Sequence, residues 1–123
     1  QQLIKQDQNA SIINISSVSG FRPQPYNVVY VSARRGVRGM TKVAALEKGK
    51  YKTRVNNVAP GAVDTPMLQG ALKEKNPMQV EANALNELKR LTKPVGIVQF
   101  TFFLASNKAS YIMERLLMLM HDI

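Results

Sequence analysis

A hydroxyl at Ser17, a phenol at Tyr30 and a guanidinium at Arg34 are the side chains of this sequence best suited to chemistry. Tyr30 and Arg34 open the stretch YVSARRGVRGMTKVAALE, residues 30–47. On a helix, side chains four residues apart share a face one turn apart, with Cβ atoms about 5–6 Å from each other. A neighbouring cation favours the ionised form of a phenol. A phenol tuned in that way can trade a proton with an alcohol or carbonyl oxygen. A serine hydroxyl beside it can hydrogen-bond the same oxygen and stabilise charge developing there. The alternative for Tyr30 is an aromatic at a helix start, packed on the core, and spacing alone leaves both readings open. Tyr26 lacks the pattern, because the residue four positions on is Tyr30 rather than a cation.

The elements that must position these groups follow from periodicity. SIINIS, residues 11–16, is a β-branched apolar run ending in SVSG, the mark of a buried strand that runs into a loop. GFRPQPYN holds two prolines and is expected to be extended. Ala33, Val37, Met40 and Ala44 then recur at spacings of four, three and four, which predicts one apolar helix face. Gly49 is the expected C-terminal cap of that helix. TRVNNVA, residues 53–59, reads as a second strand broken by Pro60-Gly61. Strand, helix and strand make a βαβ unit, so the two strands should be parallel with a right-handed crossover.

Beyond that unit, a short helix is expected over 67–75 and another over 77–91, with Met78, Ala82, Leu85 and Leu88 aligned. VGIVQFTFFLAS, residues 95–106, reads as a buried helix, although so apolar a run also suits a strand. LLMLM, residues 116–120, is the expected last strand. Ligands of open parallel sheets bind outside the carboxyl ends of the strands. Ser16 and Ser17, Pro60 and Gly61, and the start of the Tyr30 helix all fall at that rim.

Composition narrows the class. A length of 123 residues suits one domain with a real core, and 45% hydrophobic with 20% charged residues is an ordinary globular balance. With no cysteine, a disulfide framework, a thiolate zinc site and a thiol nucleophile are all excluded. His121, the only histidine, stands near the end of the sequence, and no metal site is expected. No apolar run is long enough to span a bilayer, so a cytoplasmic protein without a membrane partner is expected. The net charge of +9 is concentrated early, with ten Lys/Arg against two acids in residues 1–60 and seven against six thereafter. Such asymmetry can mark a nucleic-acid partner. Nucleic acid is nonetheless disfavoured, because the basic half carries no aromatic-interleaved platform.

Taken in order, SIINISSVSG, a tyrosine thirteen residues after Ser17, YVSARRGVRGMTKVAALE, TRVNNVAPGAVDTPM and FFLASNKASYI resemble the short-chain dehydrogenases/reductases. The resemblance runs from about Asn9 to Ile112. It implies an α/β fold, a partial Rossmann-type parallel sheet of about three strands with flanking helices. It further implies hydride transfer between NAD or NADP and a small carbonyl or alcohol substrate. By position, Ser17 would polarise the substrate oxygen, Tyr30 would be the acid/base, and Arg34 would stand where the family has a lysine that holds the nicotinamide ribose. Tyr30, Arg34, Pro60, Gly61, Val63 and Thr65 would meet the nicotinamide end of the cofactor. A homo-oligomer, or a partner that supplies the rest of the sheet, is also implied.

Three departures qualify these expectations. Arg34 keeps the charge of the family's lysine but brings a broad planar fork that does not readily give up a proton. Glycines at 20, 36, 39, 49, 61, 70 and 96 form no cluster that follows a strand and opens a helix. A sequence starting at Gln1 rather than Met is therefore expected to represent the C-terminal, catalytic part of the family's domain over residues 1–123, with the glycine-rich half absent. Met113-Glu114 stands where the family usually has Thr-Gly. The alternative is a non-catalytic remnant that keeps an association surface.

Overall fold

The structure, a computed structural model, describes residues 9–22, 25, 27–73 and 91–119. Strand β1 (Ala10–Ile15) leads through a 3-10 turn (Val18–Gly20) to helix α1 (Val28–Lys48), then to strand β2 (Thr53–Pro60). Helices α2 (Pro66–Lys73) and α3 (Pro94–Ala105) precede strand β3 (Leu116–Leu119). The sheet has the order β1-β2-β3 and both pairings are parallel, from Ala10↔Thr53 to Ile15↔Val58 and from Asn57↔Leu116 to Pro60↔Leu119. The expected α/β class, the three strands and the βαβ unit are all present. Residues 77–90 of the helix expected over 77–91, the loop residues Pro23, Gln24 and Tyr26, and His121 lie outside the described residues.

Alternation along the strands sends successive side chains to opposite faces. On one face Asn14 Nδ2 donates to Thr41 Oγ1 of α1 at 3.0 Å. On the other, Ser11 Oγ donates to Leu104 O of α3 at 3.1 Å. The sheet is thus covered by α1 on one side and α3 on the other. As the middle strand, β2 is buried on both faces, with Val55, Asn56, Val58 and Ala59 at 0% exposure. Two of its polar members, Asn56 and Arg54, are paired. Asn56 Nδ2 donates to Ile112 O at 2.8 Å, and Asn56 Oδ1 accepts from Arg115 N at 3.2 Å. The Arg54 guanidinium reaches Leu104 O at 2.9 Å and Ser106 O at 3.1 Å, where a cation also complements the negative end of α3.

Val58, Leu104 and Ala109 form the core of the α3 side, flanked by Ile13, Phe100, Ile112 and Leu117. Fully burying a side chain such as Leu104 contributes about 1.5–3 kcal/mol.

Two expectations need correction, and a third is met with an unexpected geometry. The face of α1 that meets the sheet carries Val31, Thr41 and Ala45, while Ala33 and Met40 are exposed. Thr41 can take a core position because its hydroxyl donates to Val37 O at 2.8 Å while accepting from Asn14. Helix α3 does form, but it is not buried: Leu104 alone is fully covered, and Val95, Val98 and Phe102 are 55%, 63% and 76% exposed. One side of a helix meets the sheet, and none of the described elements covers the others. Gly49 stands at the C-cap of α1 as expected; its φ is −55°, and the left-handed residue is Lys52 at φ 56°, after a further 3-10 turn.

Candidate active site

All three strands are parallel, so their carboxyl ends share one edge, and Ser17 and Pro60 stand at the ends of β1 and β2 on that edge. Ser17 follows β1 and is 8% exposed. It caps the 3-10 turn, its Oγ accepting from Ser19 N at 3.2 Å and its carbonyl from Gly20 N at 3.0 Å. That bond engages one lone pair, and a serine hydroxyl that accepts in this way can still donate its own proton.

The turn is held against α1 by a close backbone approach. A Cβ on Gly20 would lie 3.3 Å from the carbonyl carbon and Cβ of Arg34, so glycine permits the contact. Arg35 Nε donates to Gly20 O at 3.1 Å, and the Arg38 guanidinium lies 4.4 Å from the Phe21 ring centroid. These two arginines, one and four residues beyond Arg34, were not singled out by the sequence. Their signal is the ordered run of cations on a helix that faces a glycine turn.

Tyr30 occupies the first turn of α1 and is 38% exposed, which does not fit a core aromatic. The Arg34 guanidinium carbon stands 4.7 Å from the centroid of its ring. Arg34 Nε is buried and has no hydrogen-bond partner among the described residues. Tyr30 and Arg34 are therefore in contact, and the backbone of Arg34 lies against the turn that Ser17 caps.

On the other side of the rim, Pro60 ends β2 and is half-buried, as is Gly61. Val63 forms an isolated parallel bridge with Thr92, fixed by Asp64 N to Thr92 O at 2.8 Å and Thr92 N to Ala62 O at 3.0 Å. Thr65 closes the segment by capping α2, its Oγ1 accepting from Leu68 N at 3.3 Å and its carbonyl from Gln69 N at 2.9 Å. Pro66 then takes the first helical position, where its missing N–H costs nothing. Thr65 and Pro66 thus each have a local structural task.

A second pair at the rim went unnoticed in the sequence. Ser16 Oγ donates to Asn57 Oδ1 at 2.6 Å, with both residues buried, and Ser16 N donates to Val58 O at 2.8 Å. Its signal is a second asparagine, Asn57 after Asn56, within a strand that is buried along most of its length. Among the described residues no group of three or more His, Cys, Asp or Glu gathers to hold a metal ion. No helix among them is long and apolar enough to cross a membrane.

Comparison with known proteins places the sequence in a family. The family model described as Enoyl-(Acyl carrier protein) reductase matches residues 1–118. The 3-oxoacyl-[acyl-carrier-protein] reductase FabG of Thermotoga maritima is 42% identical over 112 residues, covering 89% of this chain and 43% of that protein. A short chain dehydrogenase/reductase of Aspergillus oryzae, astE, is 41% identical over 113 residues, covering 91% and 43%. Among solved structures, a levodione reductase superposes with a TM-score of 0.86 at 31% identity, covering 96% of this chain and 47% of its own. The chain therefore spans less than half the length of these relatives. A sheet rim built from these motifs, with a match along nearly the whole sequence, makes the chain a member of the short-chain dehydrogenase/reductase family.

Proposed function

We propose that this chain carries the catalytic part of a cytoplasmic NAD(P)-dependent oxidoreductase, which moves a hydride between the nicotinamide and a small carbonyl or alcohol. The observation that carries the reading is the contact between Arg34 and Tyr30 beside the turn capped by Ser17.

The residues at the rim fit the nicotinamide end of such a cofactor. The buried, unpartnered Arg34 Nε is a donor that a ribose hydroxyl would satisfy. Tyr30, Pro60, Gly61, Val63 and Thr65 would complete the cradle. When bound, the nicotinamide supplies or accepts the hydride. In the reducing direction, the Tyr30 hydroxyl gives its proton to the carbonyl oxygen as the hydride reaches the carbon, so an alcohol forms. The Ser17 hydroxyl donates a hydrogen bond to the same oxygen. Arg34 stabilises the phenolate left behind, and Tyr30 regains its proton from solvent through its exposed edge.

The seven glycines form no pyrophosphate-binding cluster, so residues 1–123 supply the nicotinamide end alone. Weaker than micromolar affinity for NADH and NADPH follows for this chain by itself, as read from the fluorescence of the reduced cofactor. The decisive assay uses the protein expressed from the full open reading frame that encodes Gln1–Ile123. Oxidation of NADH or NADPH that depends on an added ketone or aldehyde supports the proposal. No hydride exchange with either cofactor across a broad carbonyl panel would overturn it.

A second reading, an association module without turnover, is favoured by exposed apolar side chains. Val28, Val29 and Leu46 on α1 are 76%, 81% and 74% exposed, and Phe102 on α3 is 76% exposed. Surfaces of this kind mark contacts with another chain, a second copy or a partner that completes the sheet. Self-association of a protein inert in the assay above would support it.

A further inference from the structure

Asn57 lies at the centre of the sheet, 2% exposed, at a place where an apolar side chain would serve packing as well. Its Oδ1 accepts the Ser16 hydroxyl at 2.6 Å, the shorter of that hydroxyl's two contacts; the other, to Val58 O, is 3.5 Å. The Ser16 amide is tied to the same strand by its 2.8 Å bond to Val58 O. Ser16 is thus fixed to β2 through both its backbone and its side chain, and the next residue is Ser17. Ser17 in turn holds the 3-10 turn through the bond from Ser19 N.

Asn57 Nδ2 is buried with no hydrogen-bond partner among the described residues. Rotating the amide would only exchange one orphaned atom for another, because Ser16 can engage a single end. A central strand that tolerates an unsatisfied donor is a feature calling for a reason other than packing.

We infer that Asn57 is a positioning residue: acting through Ser16, it sets where the Ser17 hydroxyl points. The inference rests on the proposed role of Ser17 as the hydroxyl that polarises the substrate oxygen. The link is mechanical. Losing the Asn57 acceptor frees the Ser16 side chain, leaves one backbone bond to hold the strand exit, and lets the turn drift. Displacements on the order of 1 Å at a reacting group can cost about a hundredfold in rate.

Two measurements test this, and they fail independently. In the full-length protein, Asn57→Ala and Ser16→Ala should each lower kcat by about ten- to a hundredfold while leaving the KM for the cofactor within about twofold. In a Ser17→Ala background, Asn57→Ala should lower kcat no further, because no hydroxyl remains to be aimed. A purely structural role would give additive losses, and additivity would overturn the inference. In the chain as it stands, amide hydrogen exchange reads the same link without any turnover. Exchange at Ser19 should quicken at least about tenfold in either single variant, with Val55 in the middle of β2 unchanged. Unchanged exchange at Ser19 would overturn the positioning role and leave the oxidoreductase reading intact. Quickened exchange in a protein that moves no hydride would uphold the positioning and sink the enzymatic reading. Ser16→Ala removes the same bond from the strand-exit side and leaves β2 unaltered, so the test survives if Asn57→Ala fails to fold.

Discussion

The guanidinium of Arg34 lies over the ring of Tyr30, its central carbon 4.7 Å from the centroid. A planar cation stacked on an aromatic face is attracted by the ring quadrupole, worth about 0.5–2 kcal/mol depending on exposure. That geometry differs from a compact charge placed to reach a ribose hydroxyl and the phenol oxygen together. Arginine supports the stack because its fork is flat and weakly hydrated, whereas an ammonium behaves as a point charge. Arg34 is thus held partly by the ring of the tyrosine that the proposed mechanism has it serve.

Arg34→Lys follows as the first prediction. Replacing the stacked fork by a lysine should raise kcat in the full-length protein by up to about tenfold, equal to about 1.4 kcal/mol of barrier. Steady-state kinetics of the two forms on one carbonyl substrate decide it. A clear fall in kcat would show that the stack itself supports turnover.

Gly20 gives a prediction about assembly of the rim. A methyl group there meets the backbone of Arg34 at 3.3 Å, which a side chain cannot relieve by turning aside. Gly20→Ala should push the Ser17 turn away from α1 and lower stability by about 1–3 kcal/mol, the usual cost of overpacking. Urea denaturation followed by circular dichroism measures it, and an unchanged midpoint would show that the turn and helix are not closely docked.

Glu114 offers a gain instead of a loss. Its φ of 57° lies in the left-handed region, which L side chains enter at a cost of about 1–2 kcal/mol. The family resemblance places a glycine there, and the backbone has kept the conformation that glycine would suit. Glu114→Gly should raise stability by about 1 kcal/mol in the same denaturation assay. Loss of stability would mean that the glutamate side chain contributes more than its backbone costs.

Much of this arrangement was legible in the sequence because the βαβ unit has strong local signals. SIINIS and TRVNNVA were read within one residue of the observed strands, and the helix between them was located correctly. The buried face of α1 was not legible. Val28, Val29, Val43 and Leu46 are apolar on its outer side, so periodicity did not distinguish inside from outside, and Thr41 turned inward because it could satisfy its hydroxyl locally. Helix α3 was read as buried from its apolarity, yet apolar residues report what a surface could bury rather than what covers it here. Tyr30 and Arg34 were found from a four-residue spacing that a helix makes geometric. Asn57 was missed because its partner Ser16 is 41 residues away in sequence, a proximity created only by strand pairing.

The central claim is that the phenol of Tyr30 exchanges the proton that accompanies hydride transfer. The most direct test compares wild type and Tyr30→Phe, both expressed from the full open reading frame, for oxidation of NADH or NADPH in the presence of a carbonyl substrate. Tyr30 is 38% exposed, so losing its hydroxyl should leave thermal stability unchanged. The account predicts that kcat falls by about 10²–10⁴, the range of general acid–base catalysis. Equal turnover in the two proteins would contradict it.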